Sequence, residues 1–133
     1  MTRLTQALRF AAARLGSFRP IYAHYGVTHR CNMRCRMCAV WKTANPAAEL
    51  EVSQIERLAK NLWAVGVRTV ALGGGEPFIR KDLPELVRAF AQIGFEVRLL
   101  TNGIALSDER ISEVISAGAR HVSISLDSMD PGK

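Results

Sequence analysis

Apolar residues recur along this chain in two alternating rhythms, one helical and one of period two. Residues 4–15 place Leu4, Leu8, Ala11, Ala12 and Leu15 at helical spacing with arginines between them, which predicts a short basic amphipathic helix ended by Gly16 and Pro20. A strand is predicted over residues 21–28. Ser53 to Glu56 has the form of a capping box for a helix with Ile55, Leu58, Ala59, Leu62 and Trp63 on one face. Gly66 closes it, and Val67 to Leu72 alternates as a strand does. The next helix opens at Asp82 with Pro84 and Glu85 in its first turn, buries Leu86, Val87, Phe90 and Ala91, and stops at Gly94. Phe95 to Leu100 follows as a strand. A third unit starts at Ser107, buries Ile111, Val114 and Ile115, ends at Gly118 and leads into a strand over 120–126.

Helices and strands alternating at this interval imply βαβ units and a parallel sheet, hence an α/β fold. The carboxyl ends of such strands lie on one side, where sites are built. The segments after the four strands are Cys31–Cys38, Gly73-Gly74-Gly75-Glu76-Pro77, Thr101-Asn102-Gly103 and Asp127-Ser128. All four are expected to converge on one surface.

Length and composition are those of a domain with a real core: 133 residues, 48% hydrophobic and 23% charged. Arg3, Arg9, Arg14 and Arg19 interrupt any apolar leader, and no run approaches the roughly 20 apolar residues of a membrane span. Three cysteines without a leader point to a reducing compartment, the cytoplasm by default. The net charge of +6 is uneven: residues 1–48 hold eight Lys or Arg and no acid, and Glu49 is the first acidic residue. A basic stretch fits nucleic acid or an anionic membrane surface. However, the aromatic-basic interleaving of RNA platforms is missing, and packing on the domain is favoured over membrane contact for the N-terminal helix. Arg30, Arg34 and Arg36 stand beside the cysteines, where guanidinium groups would offset the charge of gathered thiolates.

Cys31, Cys35 and Cys38 form a C-x3-C-x2-C motif that offers three thiolates and no fourth. Three ligands leave a metal centre with an open position, the arrangement of reactive rather than structural sites. The same spacing is also one face of a helix, so three buried small side chains are an alternative; the polar flanks Arg30, Asn32, Arg34 and Arg36 oppose it. Zinc with His29 or His24 as fourth ligand is another. The glycines of Gly73-Gly74-Gly75-Glu76-Pro77 permit positive φ and close approach of a ligand to the backbone, and Glu76 offers an acceptor for an ammonium group. Asn102-Gly103 suits a turn. Ser123, Ser125 and Asp127 alternate along one strand face.

Together, in this order and strand context, these motifs resemble the radical S-adenosylmethionine (radical SAM) superfamily, over about residues 21–130. The later Thr101-Asn102-Gly103 and Ser125-Leu126-Asp127 are similar to the branch that includes the molybdenum-cofactor cyclase and the SPASM enzymes. The resemblance implies a parallel (β/α) partial TIM barrel, here ending after about four strands of about six and preceded by the N-terminal helix. It divides the chain into that helix, 1–19, and an incomplete core domain, 20–133, the N-terminal portion of a longer protein. It implies a [4Fe–4S] cluster on Cys31, Cys35 and Cys38 whose fourth iron binds S-adenosylmethionine (SAM). Reductive cleavage of SAM would yield a 5′-deoxyadenosyl radical that takes hydrogen from a small-molecule or peptide substrate. Gly74, Gly75 and Glu76 would hold the methionine amino group, Ser125, Asp127 and Asn102 would contact the rest of SAM, and a flavodoxin or ferredoxin would supply electrons. Met37 stands where the family usually has an aromatic residue against adenine, and Gly73 where it often has Thr or Ser. The competing expectations are a zinc-stabilised nucleic-acid-binding module and a catalytically silent fragment.

Overall fold

The computed structural model describes residues 19–126 together with Leu8 and Ala11. Four strands, β1 (Tyr22–Thr28), β2 (Thr69–Gly74), β3 (Glu96–Thr101) and β4 (Ala119–Ile124), alternate with helices α1 (Val52–Ala64), α2 (Leu83–Ala91) and α3 (Asp108–Ser116). All neighbours pair in parallel in the order β1-β2-β3-β4. This is the α/β architecture that the alternating periods predict. Leu8 and Ala11 are helical; the remainder of the helix expected over 4–15 lies outside the described residues.

The core lies between one sheet face and the helices. Val27, Val70, Leu72, Val97 and Leu99 from the strands meet Ile55, Ala59, Leu83, Leu86, Val87, Phe90 and Val114 from the helices, the non-directional burial that drives such layers together. On the other face the register runs His24–Ala71–Arg98–His121 across all four strands, and Gly26 pairs with Gly73 one step above. Glu96 ties this second face near the strand starts, with its Oε1 2.6 Å from Arg98 Nη2 and 3.3 Å from His121 Nε2.

Three local expectations change. The capping box of α1 is formed by Glu51 and Gln54, not by Ser53 and Glu56: Glu51 N–H donates to Gln54 Oε1 at 2.9 Å. Starting at Val52 lets Val52 join Ile55, Ala59 and Leu62 against the core, and that burial outweighs the better capping side chain at 53. Asp82 stands at the start of α2 without capping it. Its carboxylate instead accepts from Arg80 Nε at 2.9 Å and Nη2 at 2.6 Å, two parallel charge-assisted bonds where a cap would supply one. In α3, Val114 is buried but Ile115 is 55% exposed, and Ile124 and Leu126 are exposed as well. Ser107 caps α3 as expected, accepting from Arg110 N at 3.2 Å.

Candidate functional site

The segment after β1 is irregular from 29 to 39, so the three cysteines are not one face of a helix. A turn bonded from Cys38 N to Cys35 O at 3.2 Å separates the second and third. All three thiols are free and partly exposed. They line one cavity of about 310 Å³ with Gly74, Gly75, Leu100, Thr101, Asn102 and Ser125, at the lower end of ligand-pocket volumes. His24, Met33, Val40 and Trp41 complete its wall. The loops of β1, β2, β3 and β4 therefore meet as the parallel topology predicts.

Two glycines set the distance between the first two loops. Gly75 N donates to Thr28 O at 2.7 Å, and Glu76 N to Arg30 O at 2.8 Å. A Cβ on Gly75 would run into the Arg30 carbonyl, and Gly74, at φ +113°, faces the Thr28 carbonyl. Absence of side chains thus serves a backbone-to-backbone contact first, and it leaves both glycines bare on the cavity side. Gly73 has another neighbour: a Cβ there would stand 2.7 Å from His24 Nε2. A Ser or Thr at 73 would crowd that imidazole.

The structure revises the roles of several residues. Glu76 is fully buried, and its carboxylate is bonded within the β2–β3 junction. Oε1 accepts from Phe78 N at 3.0 Å and Thr101 Oγ1 at 2.8 Å, and Oε2 accepts from Asn102 N at 2.8 Å. Such a carboxylate is a fold-organising acceptor, with three donors from the chain itself. Met37 is 90% exposed and lies outside the cavity wall; Met33, Val40 and Trp41 provide the apolar surface instead. Asp127 lies outside the described residues.

The arginines also divide. Arg30 turns from the cysteines to Glu49, with Nε 2.7 Å from Oε1 and Nη2 3.0 Å from Oε2. Arg34 Nη1 donates to the carbonyls of Cys31 and Met33 at 2.7 and 3.1 Å, and its guanidinium lies 5.0 Å from the centre of the Trp41 ring. Trp41 Nε1 in turn reaches Cys35 O at 3.4 Å. Burial is the largest single influence on the Glu49 carboxyl and raises its pKa, but the Arg30 and Thr28 hydrogen bonds and the Arg30 and Arg80 charges together lower it. The Arg80 hydrogen bonds likewise lower Asp82, and the Arg98 hydrogen bonds lower Glu96.

The donor set fits a cluster better than a single ion. Among the described residues no three Cys, His, Asp or Glu side chains converge closely enough to hold one metal ion. His29 pairs with Thr43 Oγ1 at 3.0 Å and lines a separate small cavity, so it does not complete a zinc site. In an iron–sulfur cluster each cysteine binds a different iron, so the thiols stand around the group rather than meeting at a point. Three free thiols around one cavity suit that geometry. The Cys31 sulfur already accepts from Met33 N at 3.4 Å and Asn102 Nδ2 at 3.8 Å, the kind of hydrogen bond that tunes cluster sulfurs.

Comparison with known proteins agrees. The sequence pattern of the Radical SAM superfamily matches residues 25–132. A PqqA peptide cyclase from Rhodopseudomonas palustris is 37% identical over 107 residues, covering 80% of this chain and 28% of that protein. A probable GTP 3',8-cyclase from Archaeoglobus fulgidus is 36% identical over 107 residues, covering 80% of this chain and 36% of that protein. The chain thus spans roughly a third of the length of these curated relatives. Streptococcus suis SuiB bound to S-adenosylmethionine superposes with a TM-score of 0.72 at 20% identity, over 96% of this chain and 31% of SuiB. BtrN in complex with AdoMet and 2-DOIA gives 0.67 at 18% identity, over 77% of this chain and 44% of BtrN. At such identities the two structures speak for the fold, a partial barrel of α/β type.

Proposed function

The chain belongs to the radical SAM superfamily, enzymes that use a [4Fe–4S] cluster and SAM, and from that premise we propose that Cys31, Cys35 and Cys38 hold the cluster at the mouth of this sheet. When bound, the group would supply the electron for reductive cleavage of SAM and so the means to take hydrogen from a substrate. The observation that carries the reading is the single cavity lined by the three thiols, Gly74, Gly75, Asn102 and Ser125.

The chain's own contribution is holding and excluding. Gly74 and Gly75 offer a bare backbone surface on which the methionine part of SAM can lie. Asn102 and Ser125 offer polar groups toward its remainder, and Asp127 is assigned there by its place in the motif. Met33, Val40, Trp41 and Leu100 make the cavity wall apolar, which suits an adenine face and keeps water from a reactive intermediate. Glu76 supports this indirectly, by fixing Thr101 and Asn102. Residues 1–19 are proposed to flank a core domain that begins at residue 20.

Because relatives are named PqqA peptide cyclase and GTP 3',8-cyclase, peptides and nucleotides are the substrate classes we would try first. A flavodoxin or ferredoxin is the proposed reductant, and a reducing cytoplasm the proposed setting. No helix among the described residues is long and apolar enough to cross a membrane. For the zinc-stabilised nucleic-acid module, His24 shares the cavity wall with the cysteines, but among the described residues no three Cys, His, Asp or Glu side chains converge to hold one ion.

Anaerobic reconstitution tests the proposal. Iron and sulfide should approach about four each per chain, and dithionite with SAM should yield 5′-deoxyadenosine. A Cys35→Ala protein that retains full cleavage would refute it.

A further inference from the structure

All three cysteines lie on one excursion of the chain, which leaves the sheet at Thr28 and closes at Glu49 and Leu50, just before α1. Its two ends are joined at a neck by side chains. Glu49 Oε1 accepts from Thr28 Oγ1 at 2.5 Å and from Arg30 Nε at 2.7 Å, and Oε2 accepts from Arg30 Nη2 at 3.0 Å. Behind it, buried Arg80 reaches both sides of the neck, donating to Val27 O at 2.9 Å and Leu50 O at 3.0 Å. Arg80 Nη1 also stands 3.9 Å from Glu49 Oε2. On its other side Arg30 is held by its carbonyl, which accepts from Glu76 N at 2.8 Å. The next residue is Cys31, whose sulfur meets Asn102 Nδ2 at 3.8 Å, while Asn102 N is bonded to Glu76.

Glu49 therefore stands at one end of an unbroken set of contacts that finishes on the first thiol. We propose that Glu49 is a positioning residue for the iron–sulfur site: it latches the neck through Arg30 and Thr28, and so fixes where Cys31 leaves the sheet relative to Gly75 and Asn102. This rests on the cluster assignment above. It deepens that assignment by giving the first acidic residue of the chain a role at a distance from the cysteines. The physical reason is loop entropy: an excursion of this length has many closed forms, and a bidentate charged pair at its base removes most of them.

The test uses the whole chain, reconstituted without oxygen, in four forms: wild type, Glu49→Gln, Glu49→Asp and Glu96→Gln. Glu96 is the control, because it loses a comparable ion pair with Arg98 and His121 near the strand starts. Iron release to a chelator and the electron paramagnetic resonance spectrum of the reduced cluster are measured beside thermal unfolding. We expect Glu49→Gln to release iron about tenfold faster or more, with an altered spectrum. Glu49→Asp should fall between it and wild type, and Glu96→Gln should match wild type in both readouts. A Glu49→Gln protein that matches Glu96→Gln in release rate and spectrum overturns the latch. If Glu49→Gln does not fold, an Asp variant indistinguishable from wild type overturns it equally. Failure of the wild type to take up iron and sulfide would instead overturn the cluster assignment itself.

Discussion

The base and the tip of the cysteine loop are built by opposite rules. At the base, Thr28 and Arg30 are bonded through main chain to Gly75 and Glu76 and through side chains to Glu49, over a fully buried Glu76 whose carboxylate has three donors. At the tip, residues 31–38 have no regular structure, all three thiols are free, and Met37 is almost wholly exposed. The fold supplies its own partners at the base, whereas at the tip it leaves three thiols free, as the proposed cluster requires. Stability and chemistry are thereby separated within about ten residues.

Substitutions that attack the base should break this contrast most visibly. Gly75→Val puts a branched side chain into the Arg30 backbone, which has no flexible end to move aside. A loss of about 4 kcal/mol or more is expected in urea unfolding of the metal-free chain, at the extreme of single substitutions. Wild-type-like unfolding would mean that the two loops separate freely. Glu76→Ala removes the acceptor of Phe78 N, Thr101 Oγ1 and Asn102 N, and should cost about 3 kcal/mol because buried donors are left unmade.

Acid should loosen the base before the tip. The pKa of Glu49 and of Asp82 is lowered in the folded chain, from ordinary values of 4.5 and 3.8. Stability from these groups is therefore complete above those values and is lost as pH falls through the lower, folded ones. The thermal midpoint should be insensitive to these groups from pH 7 to about 5 and should drop below about 4. Glu49→Gln should make that drop shallower; an unchanged slope would show that Glu49 does not link protonation to folding.

Changes at the tip should be almost silent in the metal-free protein. Cys35→Ser is expected to shift its unfolding by no more than about 0.5 kcal/mol, yet to leave the reconstituted protein with well under half of the wild-type iron. Smallest of all, Met37→Ala should alter stability by less than about 0.5 kcal/mol and leave SAM cleavage within about twofold. A large loss of cleavage would place Met37 against a ligand and erase the distinction between the two Met side chains of the motif.

Much of this was legible beforehand where a local rule applied. The three closing glycines, Gly66, Gly94 and Gly118, all have positive φ, and each strand falls within about two residues of its predicted span because alternation of apolar positions is periodic. The cysteines, Gly74, Gly75, Asn102 and Ser125 share a cavity because parallel topology puts all strand ends on one side. Where two local rules competed, packing decided: Val52 entered the core and moved the start of α1, and Arg80 drew Asp82 away from the cap of α2.

Residue order alone thus determined the parallel α/β repeat, the side of the sheet on which chemistry gathers, and the three thiols offered there. Only the tertiary structure decided which neighbours face the site. An irregular loop has no period, so nothing local distinguishes inward Met33 from outward Met37. Nor does spacing reveal that Glu76 meets donors from residues 78, 101 and 102, or that Arg30 turns to Glu49 rather than to the thiols. Those outcomes depend on partners brought together from distant parts of the chain, and burial without partners would have been too costly to permit any other arrangement.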